Sequence, residues 1–86
     1  MRLFLKDEAQ ADLDVMDSTL RGFFEAHFEK VLEMPPRRHL SHGLPDFVEN
    51  VTKQARFAYE IKENVLVIHR CFATHKEYEK WVNSFR

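Results

Sequence analysis

The apolar positions of the first third of the chain recur at the spacing of amphipathic helices. The opening residues, MRLFL, alternate weakly and predict a short strand. Asp7 and Gln10 fit a capping box that would begin a first helix, and a second helix is predicted from about Leu20 to Met34. The short break DST between them favours an antiparallel helical hairpin. The apolar stripes of the two helices are Ala9, Leu13 and Met16, then Leu20, Phe23, Phe24, Phe28, Val31 and Leu32.

The segment MPPRRHLSHGLPD ends the second helix and predicts a loop of about a dozen residues. Beyond this loop the apolar period shortens to two. FVENVT (47–52) is a candidate strand, and ARFAYEI (55–61) alternates between an apolar and a mixed face. A turn is expected at Glu63 and Asn64. The following run, VLVIHRCF, is nearly all apolar, which is typical of a central strand covered on both faces.

The last segment of the chain carries a second helix-start signal. Thr74 and Glu77 fit a capping box, and the residues that follow predict a C-terminal helix. Its apolar stripe comprises Tyr78, Trp81, Val82 and Phe85. The predicted order is therefore β-α-α-β-β-β-α. This order indicates one α+β domain over residues 1–86, with a small, mostly antiparallel sheet, a helical hairpin on one face and a C-terminal helix.

Composition narrows the class of protein. Eighty-six residues that are 44% hydrophobic and 13% aromatic suit one small domain rather than a disordered chain. The single Cys71 excludes an internal disulfide and a zinc site of paired cysteines, and we expect it to be a small core residue. No apolar run approaches the roughly 20 residues of a membrane span. The opening segment turns acidic at once, so we expect no signal peptide and a cytoplasmic location.

Charge is distributed unevenly along the chain. The net charge of −1 divides into −4 over residues 1–34 and +3 over residues 35–86. Four of the five histidines also lie in the second part, so this part could present a weakly basic, histidine-rich surface or an ordinary scatter of solvated charge.

Few patterns for metal or phosphate chemistry are present in the sequence. His39 and His42 lie three residues apart in the predicted loop, with Asp46 nearby, which is a weak metal signal. The chain has only two glycines and therefore no glycine-rich phosphate loop. RNA cleavage by attack of a 2′-hydroxyl needs no metal, because a base, an acid and a cation for the phosphate suffice. The second part of the chain supplies histidine, arginine and tyrosine for these roles.

Several segments, in order, resemble the RelE/ParE superfamily of bacterial toxin–antitoxin toxins, and most closely its RelE, YoeB and HigB ribonuclease branches. VLEMP is similar to the family's helix ending, HGLPDF to its Gly-hydrophobic-Pro-Asp segment before the sheet, and RFAYEIKENVLVI to its RLVY strand, turn and apolar strand. THKEYEKW is similar to a C-terminal signature of HigB-like members. The resemblance implies a toxin that cleaves mRNA in the ribosomal A site, needs no cofactor and is silenced by a cognate antitoxin.

The resemblance also implies roles for particular residues. Arg56 corresponds to the family's phosphate-contacting arginine, and His75 lies near its catalytic His/Tyr pair. Tyr78 corresponds approximately to a late tyrosine, although it also belongs to the apolar stripe. A base is expected in the loop, at His39 or His42. Candidate phosphate contacts are Arg37, Arg38, Lys53, Arg70 and Lys76.

Two departures from the family keep other functions open. RelE-like toxins are commonly strongly basic, whereas this chain is nearly neutral, and FVENVT stands where RelE carries two lysines. A ParE-like inhibitor of DNA gyrase or an inactive interaction module of the same fold are the alternatives. His69, in the last predicted strand, is equally consistent with two interpretations: a residue of the site, or a half-buried, hydrogen-bonded histidine.

Overall fold

The computed structural model describes residues 1–35 and 47–85, and these residues follow the predicted element order. The elements are β1 (Arg2–Leu5), α1 (Asp7–Asp14), α2 (Ser18–Glu33), β2 (Phe47–Asn50), β3 (Arg56–Lys62), β4 (Val65–Phe72) and α3 (His75–Asn83). The α+β class is confirmed. Most of the predicted loop lies outside the described residues, and with it lie the predictions for Arg37, Arg38, His39 and His42.

The four strands form one mixed sheet in the order β1-β4-β3-β2. β1 is parallel to β4, and the other two pairs are antiparallel. The prediction of a mostly antiparallel sheet is therefore confirmed. β4 is a central strand, as its apolar sequence predicts. The turn between β3 and β4 has Glu63 at φ 51° and Asn64 at φ 63°. Positive φ at both positions is the pattern of the tight hairpin turn that matches strand twist.

The two faces of the sheet carry separate cores. α1 and α2 pack on one face and α3 covers part of the other, so the C-terminal helix lies opposite the helical pair. The buried side chains of the first core include Ala9, Leu13, Phe24, Phe28, Val31, Phe57, Tyr59, Leu66, Ile68 and Cys71. The second, smaller core consists of Ala58, Phe72, Tyr78 and Val82, with Val48 and Trp81 packed against it.

An irregularity in β4 sets which residues face α3. Tyr59 pairs with Ile68, but the preceding Ala58 pairs with Arg70, so β4 accommodates one extra residue at this point. A bulge of this kind shifts the alternation of side chains by one position. Beyond it, Cys71 therefore joins the core under the helical pair, and Phe72 joins the core under α3.

The helix starts agree only in part with the predicted caps. The capping box predicted for Asp7 and Gln10 is wrong, because Lys6 occupies the cap position without a side-chain bond and Gln10 donates to Asp14 at 2.9 Å. Asp17 caps α2 by accepting from Leu20 N–H at 2.8 Å. In residues 1–35 and 47–85, no helix has the length and apolar character that crossing a membrane requires.

Candidate active site

The β3–β4 hairpin and α3 bring three sequence-predicted residues together. Arg56 begins β3 and pairs with Phe72 at the end of β4. Only two residues separate β4 from α3, so the first turn of the helix lies above this end of the hairpin. The capping box predicted at Thr74 and Glu77 is present in full and fixes where the helix begins. His75 and Tyr78 consequently lie near Arg56, although 19 to 22 positions separate them in sequence.

The guanidinium of Arg56 is held in place but incompletely paired. Its Cζ lies 5.3 Å from the centroid of the Tyr78 ring, which is a cation–π distance. Nη2 donates to the carbonyl of Lys53 at 3.2 Å. The buried Nε has no hydrogen-bond partner within the described part of the chain. A cation restrained in this way is suited to binding a phosphate.

Tyr78 forms the buried side of this cluster. It is only 6% exposed, and its ring packs edge-on against Phe72 at a centroid distance of 5.6 Å. Burial raises the pKa of the Tyr78 phenol, and the charge of Arg56 opposes that rise. The phenol therefore stays protonated at neutral pH, so Tyr78 can donate a hydrogen bond but cannot act as a base.

His75 is oriented by two contacts. Its Nδ1 lies 3.0 Å from Oε1 of Glu79, one helical turn later, and its backbone N–H donates to Oε1 of Gln54 at 3.2 Å. The ring centroid is 6.3 Å from that of Tyr78, and the imidazole side chain is 45% exposed. Because Glu79 engages Nδ1, Nε2 is the nitrogen left for proton exchange with a substrate.

Gln54 and Glu79 are site residues that the sequence analysis missed. Glu79 follows His75 at the i, i+4 spacing of helical ion pairs, so this contact had a sequence signal. Gln54 had none, because its partner is 21 positions away. It lies in the β2–β3 connection, where Oγ1 of Thr52 accepts from the N–H groups of Gln54 and Ala55.

Arg70 is engaged elsewhere. Its Nε and Nη2 donate to the two carboxylate oxygens of Asp12 at 2.7 and 3.0 Å, and this hydrogen-bonded carboxylate raises the pKa of the guanidinium. The same carboxylate accepts from Cys71 N–H at 2.9 Å. The donor edge that would bind a phosphate is therefore occupied. Lys53 and Lys76 are exposed and stand next in sequence to Gln54 and His75.

Two further predictions concern residues of β4. His69 is a half-buried histidine whose Nε2 lies 3.5 Å from Oε1 of Glu60. This agrees with the interpretation of His69 as a half-buried histidine with a polar partner. Cys71 is buried in the core as expected, and desolvation raises the pKa of its thiol. Among residues 1–35 and 47–85, no three His, Cys, Asp or Glu side chains are grouped as a metal site requires.

No family model matches the sequence, and no curated protein matches it either. Solved structures do resemble it. The isolated RelE toxin of E. coli has a TM-score of 0.74 at 17% identity, covering 99% of this chain and 98% of that chain. The intact E. coli RelBE toxin–antitoxin complex gives a TM-score of 0.73 at 18% identity, covering 83% of this chain and 93% of that chain. The YoeB/ParE toxin from Agrobacterium tumefaciens has a TM-score of 0.73 at 14% identity, covering 84% of this chain and 96% of that chain.

Proposed function

We propose that this chain, which has the fold of the RelE/ParE toxins, is the toxin of a toxin–antitoxin pair and cleaves mRNA on the ribosome. The observation that carries the proposal is the convergence of Arg56, His75 and Tyr78 at one end of the β3–β4 hairpin. A phosphate-binding cation and a proton-transferring imidazole beside it are two of the three groups that metal-independent RNA cleavage needs. We place this activity in the cytoplasm, where translating ribosomes are found.

The proposed reaction is an attack of the RNA 2′-hydroxyl on the adjacent phosphorus. A base removes the 2′-hydroxyl proton, the O2′–P bond forms, the P–O5′ bond breaks, and an acid protonates the departing 5′-oxygen. The products are a 2′,3′-cyclic phosphate and a 5′-hydroxyl. Arg56 stabilises the charged phosphorane, and His75 transfers one of the two protons through Nε2. His39 and His42 remain the candidates for the second proton transfer.

The buried phenol of Tyr78 has a supporting role in this mechanism. Its ring lies against the Arg56 guanidinium and limits the directions in which that side chain can move. Its protonated hydroxyl suits hydrogen-bond donation to a phosphate oxygen rather than proton abstraction. We therefore expect Tyr78→Phe to reduce cleavage less than loss of Arg56 does.

Induction of this chain alone in a bacterium, with mapping of mRNA 5′ ends, tests the proposal. We expect growth arrest with new cleavages inside translated codons, and these should disappear when translation is blocked. Arg56→Ala and His75→Ala should each lower cleavage about 10²- to 10³-fold, as loss of one transition-state contact does. Arg2→Ala, an exposed arginine on β1, is the matched control and should remain toxic.

The same induction experiment distinguishes the nuclease from other candidate functions. A net charge of −1 is low for a protein that docks on ribosomal RNA, and this keeps two alternatives: a ParE-like inhibitor of DNA gyrase and an inactive interaction module of the same fold. Arrest with intact mRNA, DNA damage and filamentation would support gyrase inhibition. Folded Arg56→Ala and His75→Ala proteins that retain full mRNA cleavage would refute the assignment of the active site.

An antitoxin partner belongs to the same proposal. One similar structure is a complex of a toxin with its antitoxin, and we expect a cognate antitoxin to bind this chain as well. Peptide recognition of this type commonly uses an amphipathic helix or an added strand. Coexpression of a cognate antitoxin should then abolish growth arrest.

A further inference from the structure

The β2–β3 connection, residues 51–55, is a turn held by its own hydrogen bonds. The carbonyl of Ala55 accepts from the N–H groups of Val51 and Thr52 at 2.8 and 3.1 Å. Oγ1 of Thr52 accepts in turn from the N–H groups of Gln54 and Ala55 at 3.2 and 2.9 Å. A threonine hydroxyl that accepts from the backbone a few residues later stabilises a turn. Ala55 is fully buried in the first core, which anchors the connection to the sheet.

The connection contacts both groups to which the proposed mechanism assigns chemistry. The carbonyl of Lys53 accepts from Nη2 of Arg56 at 3.2 Å. Oε1 of Gln54, the next residue, accepts from the backbone N–H of His75 at 3.2 Å. Two adjacent residues of one turn therefore hold the candidate phosphate-binding cation and the start of the helix that carries the candidate imidazole.

The N–H of His75 is a donor that α3 cannot satisfy by itself. His75 is the first residue of the helix, and the first four N–H groups of a helix have no intrahelical acceptor. The capping box pairs the Thr74 hydroxyl with the N–H of Glu77, and the Glu77 carboxylate with the N–H of Thr74. Gln54 accepts from the N–H of His75, so it adds a cap that comes from another element.

We propose that Thr52 and Gln54 are positioning residues that set the placement of His75 relative to Arg56. The inference rests on the proposed nuclease function and adds to it the segment that assembles the site before mRNA binds. Thr52 shapes the connection, and Gln54 joins it to α3. Because a misplacement of about 1 Å can lower a rate about 10²-fold, loss of these contacts should slow cleavage. Binding of mRNA should not change, since neither residue is assigned a contact with it.

A positioning role can be separated from a role in stability. Thr52 and Gln54 are both exposed, and substitutions at exposed positions seldom change the free energy of unfolding by much. A large loss of cleavage with unaltered urea unfolding therefore indicates positioning.

Gln54→Ala tests the contact with α3. Single-turnover cleavage of an mRNA on purified bacterial ribosomes, measured at increasing concentrations of the chain, gives a maximal rate and a half-saturating concentration. We expect the maximal rate to fall about 10- to 100-fold and the half-saturating concentration to stay unchanged. Gln10→Ala is the matched control, because Gln10 is exposed on α1, which packs on the other face of the sheet, and this protein should cleave like wild type. A wild-type maximal rate in the Gln54→Ala protein would overturn the proposal.

Thr52 offers a rescue by a conservative substitution. Thr52→Ala removes the hydroxyl that accepts from two N–H groups of the connection, and it should lower the maximal rate as Gln54→Ala does. Thr52→Ser keeps the hydroxyl and should restore the wild-type rate. Equal rates for the alanine and serine proteins would refute the role of Thr52.

Amide hydrogen exchange of His75, followed by NMR in the full chain, separates this inference from the proposed function. Gln54→Ala removes the acceptor and should speed exchange of this N–H about 2- to 13-fold, the net effect of one hydrogen bond. A chain that cleaves no mRNA but shows this change would refute the nuclease and retain the coupling of the connection to α3. Unchanged exchange would overturn the proposal even if cleavage by the Gln54→Ala protein fell.

Discussion

At the scale of single residues, His75 illustrates how local contacts orient a side chain. Its backbone is tied to Gln54, and its ring nitrogen Nδ1 faces the carboxylate of Glu79. Helical ion pairs at this spacing contribute only about 0.3–0.5 kcal/mol to stability when exposed. The contact therefore matters more for the orientation of the imidazole than for the fold.

Glu79→Gln tests this distinction. The amide keeps a polar partner of similar size for His75 but replaces the carboxylate that lies 3.0 Å from Nδ1. We expect mRNA cleavage to fall by about tenfold or more, within the range of general acid–base effects, while the free energy of unfolding changes by less than about 0.5 kcal/mol. Cleavage rates and urea unfolding of the same protein measure the two effects. An unfolding change above 1 kcal/mol with unaltered cleavage would assign Glu79 a purely structural role.

At the scale of elements, the pairing of Asp12 with Arg70 connects α1 to β4. β1 pairs with β4 only as far as Ile68, and within residues 1–35 and 47–85 no strand pairs with that edge of β4 beyond this point. Asp12 accepts from Cys71 N–H and from two nitrogens of Arg70, and it thereby replaces the missing strand partner. The side chains are 18% and 35% exposed, respectively, which places the pair between a surface and a buried ion pair.

Asp12→Ala should destabilise the protein by about 2 kcal/mol. Breaking a fully buried pair costs about 3–5 kcal/mol, and partial exposure of Arg70 reduces this value. Asp14→Ala, an exposed position on the same helix whose side chain contacts Gln10, is the matched control and should cost less than about 0.5 kcal/mol. Equilibrium urea unfolding compares the two variants, and equal losses would show that Asp12 does not join the elements.

At the scale of the whole molecule, the ionisable groups of the core link stability to pH. The core contains the only cysteine and both tyrosines of the chain. Burial raises the pKa of Cys71 above its usual 9.0, and it raises those of Tyr59 and Tyr78 above their usual 10.0. The folded state therefore keeps these protons at a pH where the unfolded chain has lost them.

These three groups should leave the free energy of unfolding unchanged below about pH 8. They should lower it as pH rises above about 9. Each group contributes a slope of at most about 1.4 kcal/mol per pH unit between its unfolded and folded pKa values. Cys71→Ala removes one of these ionisable groups. Above pH 9, the free energy of unfolding of this variant should therefore fall less steeply, by up to about 1.4 kcal/mol per pH unit. Urea unfolding from pH 7 to 10.5 provides the comparison, and parallel curves for both proteins would contradict the prediction.

Much of this architecture follows from sequence because its causes are local. Apolar periods of 3.6 and 2 predict the helices and strands, and Thr74 with Glu77 predicts the start of α3, since these signals depend on neighbours within one turn. The hairpin turn at Glu63 and Asn64 has the same origin. Arg56, His75 and Tyr78 were identified through resemblance to a family, and antiparallel pairing across that turn explains why they can meet.

Only the tertiary structure decided the remaining features, because they depend on residues distant in the chain. The bulge in β4 determines that Phe72 faces α3, and alternation along the sequence does not reveal an extra residue. Asp12 lies 58 positions from Arg70, so a candidate phosphate ligand became a structural partner once α1 packed against β4. The sequence supplied the candidate side chains, whereas packing determined which of them are already engaged by other residues.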